Sequence, residues 1–84
     1  MIIVYSIYDK FCKEIYVGLT NDVERRIKEH KRGQTQYTRK FKNIKLFYKE
    51  EFEDYRTARK REKYFKSGCG KEFLKEKLKN AGVV

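Results

Sequence analysis

The 84-residue chain contains no proline and no run of apolar residues near the roughly 20 that a membrane span requires. It also shows no repeat and no linker-like segment, so residues 1–84 predict one domain. The opening stretch, MIIVYSIYDK, lacks the basic leader and cleavage site of a signal peptide. From these absences we expect a cytoplasmic protein that does not enter a membrane.

Cysteine and histidine are scarce as well. Cys12 and Cys69 are far apart, with neither a CxxC motif nor a histidine-rich companion. Both a zinc site and a disulfide framework need closer or more numerous ligands than these. The two residues are therefore predicted to be ordinary thiols.

Negative charge is in short supply, since 22 Lys and Arg face 12 Asp and Glu, which leaves a net charge of +10. Residues 25–49 hold ten basic residues and a single acid, Glu29. Such a field favours a polyanionic partner. Nucleic acid is favoured over an acidic membrane, because the basic residues do not lie on one amphipathic helix. The alternative is a surface whose charge only keeps the protein soluble.

The residue pattern predicts the order β-β-α-β-α-α. β-branched and aromatic runs indicate strands, and Asn or Asp before an amphipathic segment indicates a helix cap. We expect strands over residues 2–8, 14–18 and 45–52. The first helix should run from the cap Asn21 to Arg32, and the second from the cap Asp54 to Lys66. The glycines of SGCG should end the second helix, and a third helix should follow and finish near Gly82.

Two cationic or polar residues border the apolar stripe of the first helix. At 100° per residue, Arg26 and His30 fall on the side that carries Val23 and Ile27, whereas Arg25 points about 160° away. An unpaired guanidinium beside a buried stripe is unfavourable. Arg26 therefore needs an anion, and Arg25 is expected to be solvated.

The second helix carries the opposite anomaly. Glu62 is the one acid on a stripe formed by Tyr55, Ala58 and Phe65. It either pairs with Arg26 in the interior or shares a polar cleft with it.

Two strand tyrosines favour the cleft. Tyr5 and Tyr16 lie near the middle of paired strands, from which both phenols could reach one place. Each is also compatible with a plain core position, and His30 with a structural role at the end of a helix.

Together these residues resemble the GIY-YIG nuclease superfamily. Ile3-Val4-Tyr5 and Tyr16-Val17-Gly18 are similar to its two name-giving motifs, and residues 21–30, NDVERRIKEH, resemble the helix that follows. Residues 61–75, REKYFKSGCGKEFLK, resemble the small standalone bacterial members. The chain is also similar to the N-terminal catalytic domain of the excision-repair incision subunit, although Leu19 stands where that subunit carries lysine and Ile3 replaces the first motif's glycine.

The resemblance implies a fold, an activity and a site. The fold is α+β, with a three-stranded antiparallel sheet flanked by about three helices. The activity is hydrolysis of DNA phosphodiester bonds by an endonuclease that uses one Mg²⁺ or Mn²⁺ ion, structure-specific and linked to DNA repair or recombination. Glu62 matches the metal-binding glutamate, and the implied catalytic set is Tyr5, Tyr16, Arg26, His30 and Glu62.

The basic segment is expected to contact nucleic acid, most simply DNA. The predicted contacts are Arg25, Lys31, Arg32, Tyr37, Arg39, Lys40 and Lys42, with base stacking by Tyr37 or Phe41. The alternative for this loop is a mobile, solvated segment.

Several readings stay open from the sequence. Tyr5 or Tyr16 could accept the proton from the attacking water, or His30 could take it directly or relay it from Tyr5. The chain could be a nucleic-acid-binding module with little or no catalysis, or a protein-interaction domain stabilised by an Arg26–Glu62 pair. No protein partner is indicated.

Overall fold

A computed structural model describes residues 1–33, 35–36 and 38–82 of the chain. Its elements are β1 (Ile2–Asp9), β2 (Glu14–Thr20), α1 (Val23–Lys31), β3 (Ile44–Phe52), α2 (Tyr55–Lys66) and α3 (Gly68–Asn80). The predicted order β-β-α-β-α-α and the α+β class are confirmed. Within the described ranges, no helix has both the length and the apolar character needed to cross a membrane.

The sheet has the strand order β2-β1-β3, and β1 pairs antiparallel with both neighbours. Tyr5 lies opposite Gly18 in β2 and Lys49 in β3. A register shift between Ser6 and Ile7 interrupts the β1–β3 pairing. Because β1 is central and both faces of the sheet are covered, most of its residues are buried.

Two apolar clusters cover the two faces of the sheet. The first, on the face that we call the α2–α3 face, joins strand residues to both C-terminal helices and consists of Ile2, Val4, Val17, Ala58, Phe65 and Leu74. The second, on the α1 face, consists of Tyr5, Ile7, Val23, Phe41 and Ile44. Successive residues of a strand point to opposite faces, which is why Val4 and Tyr5 belong to different clusters.

The helix caps follow the sequence with one exception. Asp54 accepts a hydrogen bond from the backbone N–H of Thr57 and begins α2, as predicted. The cap of α1 is Asp22, so the prediction of Asn21 is wrong by one residue. Asp22 has extended backbone angles and accepts from the N–H of Arg25, while Thr20 Oγ1 accepts from the Asp22 N–H at 3.1 Å.

The boundary between α2 and α3 differs from the prediction that glycines end the helix. Ser67 closes α2 and caps α3, so Gly68 and Gly70 lie inside the first turn of α3. A Cβ on Gly70 would lie 1.9 Å from the Tyr64 carbonyl oxygen, so this glycine allows the two helices to approach closely. Tyr55 was also wrongly predicted to lie on the buried stripe of α2, because its side chain is exposed.

Candidate active site

The centre of the site is the phenol of Tyr5, which is buried on the α1 face. Tyr5 lies across the strand pair from Gly18. A Cβ on Gly18 would lie only 2.4 Å from Tyr5 Oη. Glycine at this position therefore leaves the space that the phenol occupies.

A chain of buried hydrogen bonds leads away from this phenol. Tyr5 Oη lies 2.7 Å from His30 Nε2, and His30 Nδ1 lies 2.6 Å from Thr38 Oγ1. All three side chains are buried. Both ring nitrogens of His30 are therefore satisfied by neutral hydroxyl groups, one from the sheet and one from the loop that follows α1.

Tyr16 completes the aromatic part of the site. Its ring centroid lies 5.2 Å from that of His30 and 6.5 Å from that of Tyr5. Tyr16 is half-buried, whereas Tyr5 is fully buried. The structure thus brings the two strand tyrosines and the helix histidine together, with Tyr16 nearest to solvent.

Arg26 lies at the edge of this group and reaches an anion on its own helix. Its Nη1 donates to Glu29 Oε1 at 2.9 Å, and its side chain is 33% exposed, compared with 60% for Arg25. Among the described residues Arg26 pairs with Glu29 and Glu62 with Lys66, so the alternative of an Arg26–Glu62 pair is wrong. The helical wheel placed both arginines correctly.

The protonation states follow from burial and from Arg26. Burial raises the pKa of Tyr5 to about 12, although the neighbouring Arg26 guanidinium opposes that rise. Burial and then the charge of Arg26 lower the pKa of His30 to about 4. Near neutral pH the site therefore holds a protonated phenol and an uncharged imidazole.

Glu62 lies on α2, between residues of the α2–α3 face cluster. Its side chain is 16% exposed, and its Oε2 lies 3.4 Å from Lys66 Nζ. The described contacts join Tyr5, Tyr16, Arg26 and His30 to one another but do not include Glu62 in that group. Its catalytic role therefore stays a prediction.

The donor set fits a weakly held divalent ion and no stronger metal site. No group of three or more His, Cys, Asp or Glu side chains suited to a metal occurs in the described part of the chain. Mg²⁺ is commonly held by one or two carboxylates, with water and substrate phosphate as the other ligands. Glu62 is partly exposed and has only a long contact to an exposed lysine, so it can serve as such a carboxylate.

The second half of the loop between α1 and β3 is held against the rest of the protein. Thr38 contacts His30, and Phe41 is 7% exposed and packs in the α1 face cluster. The buried Asp9 carboxylate accepts from the backbone N–H groups of Lys42 at 2.9 Å and of Asn43. The burial of Phe41 contradicts the prediction that this ring stacks on bases, and these anchors show that the described part of the loop is not solvated throughout. Tyr37 lies outside the described residues.

The other predicted nucleic-acid contacts lie on the surface. Lys40 Nζ pairs with Glu14 Oε2 at 2.8 Å. The loop thus turns Thr38 and Phe41 inward and its basic side chains outward. The exposed set is Arg25, Lys31, Arg32, Arg39, Lys40 and Lys42.

Sequence reasoning missed three residues of this region. Glu29 follows Arg26 by three positions, a helical spacing that brings side chains together, so this pair was detectable. The contacts from Asp9 to Lys42 and from Thr38 to His30 carry no comparable local signal, because they span 33 and 8 positions in the chain.

A family model described as the GIY-YIG catalytic domain matches residues 1–76. The chain belongs to the GIY-YIG family. Its members form a nuclease family that generally uses a divalent metal ion. The match confirms the resemblance, and the similarity to a solved structure confirms the fold that it implied.

Relatives of this GIY-YIG chain are small proteins of the UPF0213 group. The chain is 36% identical over 85 residues to the UPF0213 protein of Pediococcus acidilactici, with 95% of this chain and 86% of that protein covered. It is 40% identical over 72 residues to the protein of Bacillus licheniformis, with 82% and 74% covered. The solution NMR structure of the UPF0213 protein of Bacillus halodurans is similar, with a TM-score of 0.55, 34% identity, and 90% and 84% of the two chains covered.

Proposed function

We propose that this GIY-YIG chain is an endonuclease that hydrolyses DNA phosphodiester bonds with one Mg²⁺ or Mn²⁺ ion. The observation that carries the proposal is the Tyr5 hydroxyl, which lies 2.7 Å from His30 Nε2 and beside the Arg26 guanidinium. A proton acceptor and a fixed positive charge are the two groups that hydrolysis of a phosphodiester needs most.

Arg26 would hold the phosphate. A guanidinium has five N–H donors, and the hydrogen bond to Glu29 uses one through Nη1. The side chain is one third exposed, so part of it faces solvent and can donate hydrogen bonds to a non-bridging phosphate oxygen. That oxygen gains negative charge as water attacks in line, which makes the contact stronger in the transition state than in the bound substrate.

Tyr5 and His30 would move the proton together. A phenol with a raised pKa is not a phenolate at neutral pH, and an imidazole with a pKa of about 4 is a weak base. A bound phosphate beside the imidazole favours the charged form and raises its pKa toward neutrality. We therefore assign Tyr5 to accept the proton of water while passing its own to His30 Nε2, and Tyr16 to line the solvent side.

Glu62 would hold the metal ion. When bound, a divalent ion supplies Lewis-acid stabilisation of the phosphate and of the departing oxygen. A single carboxylate predicts weak binding that is completed by substrate, so the protein alone should show low affinity for Mg²⁺.

The basic surface supports DNA as the substrate. Arg25, Lys31, Arg32, Arg39, Lys40 and Lys42 are exposed and would contact phosphates. No base-reading element follows from these contacts, so we propose recognition of DNA shape, in repair or recombination. Leu19 stands where the incision subunits carry lysine, which argues against a repair role identical to theirs.

Cleavage of supercoiled plasmid in Mg²⁺ or Mn²⁺ tests the assignment. Arg26→Ala should lower the rate by about 100-fold or more, because it removes the charge on the phosphate. Glu62→Gln should remove the metal-dependent activity. Arg56→Ala and Glu72→Gln, two exposed positions on α2 and α3, are the matched controls and should cleave like the unmodified protein. Equal rates for Arg26→Ala and Arg56→Ala would refute the proposal.

The second candidate is a nucleic-acid-binding module without catalysis, which the same charge supports. It predicts an affinity that falls steeply with salt, with a slope set by the number of phosphates contacted, and no strand scission with either metal. Comparing branched DNA, linear duplex and RNA in the same assays identifies the preferred nucleic acid under both candidates.

A further inference from the structure

We propose that Thr38 is a positioning residue that aligns His30, and through it Tyr5, and that it ties this alignment to the basic loop. The inference rests on the proposed nuclease function for its catalytic meaning. Its structural part concerns the three side chains alone and can be tested without any cleavage.

The first argument is the geometry at the imidazole. Thr38 Oγ1 lies 2.6 Å from His30 Nδ1, on the opposite side of the ring from the 2.7 Å contact between Nε2 and Tyr5. Thr38 is fully buried, so water does not compete for this contact. Rotation of the ring would break both hydrogen bonds in a buried site, which is costly. The ring is therefore held by two contacts, of which only one belongs to the predicted catalytic set.

The second argument is the position of Thr38 in its loop. The Thr38 carbonyl accepts from the N–H of Phe41 at 2.9 Å, and Phe41 is buried in the α1 face cluster. The hydroxyl that contacts His30 is thus part of a short turn with its own apolar anchor. Asp9 fixes the end of the same loop through the N–H groups of Lys42 and Asn43.

The third argument is what the turn presents to solvent. Arg39 and Lys40 follow Thr38 directly and are exposed, although Thr38 is buried. A phosphate bound to these side chains would act on the turn that holds the imidazole. Substrate binding on the loop and alignment of the Tyr5–His30 pair would therefore be coupled through one residue.

The hydroxyl can align the ring in either protonation pattern. It accepts a hydrogen bond if Nδ1 carries the proton, and it donates one if Nε2 does. Transfer of a proton from Tyr5 to Nε2 requires the first pattern, with the ring proton on Nδ1, so this tautomer should predominate. His30 is the sole histidine of the chain, so its ring nitrogen signals can be assigned without ambiguity in an NMR spectrum.

The experiment compares Thr38→Val, which keeps the shape and removes the hydroxyl, with Thr38→Ser, which keeps the hydroxyl. In the unmodified protein the ¹⁵N signals of His30 should report one predominant tautomer. Thr38→Val should shift them toward an average of both tautomers, and Thr38→Ser should restore them. Ser6→Ala removes another fully buried hydroxyl, on the other strand face, and should leave the ring signals unchanged.

The cleavage readout uses the same variants. Thr38→Val should lower kcat at least about tenfold with little change in KM, since a misplaced group affects the chemical step more than binding. Unchanged ring signals and unchanged kcat in a folded Thr38→Val protein would overturn the inference. If that variant does not fold, rapidly averaged tautomers in the unmodified protein would overturn it. If no variant cleaves DNA, the proposed function fails, while the ring signals still test the positioning role.

Discussion

The two faces of the sheet differ in how their polar side chains are paired. On the α2–α3 face, Arg61 forms a bidentate salt bridge with Glu50, in which Nε donates to Oε1 at 2.8 Å and Nη2 to Oε2 at 3.1 Å. The guanidinium carbon of Arg61 lies 4.6 Å from the centre of the Phe65 ring. On the α1 face the buried groups around the phenol, namely Tyr5, His30 and Thr38, are uncharged at neutral pH, whereas the buried Asp9 carboxylate accepts from backbone N–H groups of the loop.

This difference separates stability from chemistry in a very small domain. The α2–α3 face neutralises its charges against one another and closes its core with aromatic rings, such as Phe65 stacked on Phe73 at 5.7 Å. The α1 face buries groups that can exchange a proton and leaves Arg26 at its edge. A chain of 84 residues has little stability to spare, so the paired charges and stacked rings of the α2–α3 face offset the polar groups that the α1 face buries.

Replacing a glycine by alanine on each face should give the largest difference in stability between the two faces. Gly70→Ala places a Cβ 1.9 Å from the Tyr64 carbonyl oxygen and 2.4 Å from Phe65 Cα, so two helices must separate. Because the contacted backbone atoms cannot move aside locally, we expect the free energy of unfolding to fall by about 3 kcal/mol. Urea denaturation measures this change.

Gly18→Ala is the counterpart on the α1 face. Its Cβ would meet the end of the Tyr5 side chain, which can rotate away, so we expect a smaller loss of stability, of about 1–2 kcal/mol. The Tyr5–His30 hydrogen bond should be lost, and with it cleavage and the single His30 tautomer. Equal losses of stability, with an intact His30 spectrum in Gly18→Ala, would contradict the division between the faces.

Between pH 5 and 7 the pH dependence of stability should come from the α1 face, because the lowered pKa of a carboxyl such as Glu50 matters only below its ordinary value of 4.5. The pKa of His30 is lowered to about 4, so between that pH and the ordinary value of 6.5 the unfolded chain binds more protons than the folded one. Stability then rises with pH across this window, and the free energy of unfolding should be about 2 kcal/mol lower at pH 5 than at pH 7.

Denaturant titrations at several pH values measure this slope, and His30→Phe should remove it. At alkaline pH, Tyr5 should give the opposite effect, a free energy of unfolding that falls as the pH rises. Its pKa is raised to about 12, so its contribution is present below pH 10 and is lost as the pH rises toward 12. A slope between pH 4 and 6.5 that persists in His30→Phe would assign it to another group.

The smallest expected effect lies on the α2–α3 face. Strand alternation places Ser6 on this face with Val4, and its buried hydroxyl has no hydrogen-bond partner among the described residues. Ser6→Ala removes an unsatisfied group, so the free energy of unfolding should stay the same or rise by up to about 1 kcal/mol. Thermal and urea unfolding would show this, and a clear loss of stability would mean that the hydroxyl has a partner.

Most of the fold could be predicted because its signals are local. β-branched and aromatic runs define the strands, and Asp54 capped a helix that ends at Lys66, as predicted. The wheel of α1 separated Arg25 from Arg26. The misses, the Asn21 cap and the glycines before α3, fall at element ends, where neighbouring polar residues compete for the same backbone donors.

Part of the candidate site could be predicted for the same reason. Tyr5, Tyr16, Arg26 and His30 stand out because polar groups on apolar stripes need a partner, and the structure brings these four together. Phe41 was wrongly predicted to lie on the surface. A basic loop sequence does not reveal that hydrogen bonds of Asp9 and Thr38 hold this loop against the sheet.

The sequence by itself determined the element order, the faces of α1, the excess of positive charge and the GIY-YIG likeness, because each depends on residue type and short-range spacing. Only the tertiary structure decided that Arg26 and Glu62 do not pair with each other, and that Thr38 contacts the second ring nitrogen of His30. The hydrogen bond between Thr38 and His30 forms where a loop packs against the end of a helix, and burial strengthens it. No local sequence pattern predicts that these two segments come into contact.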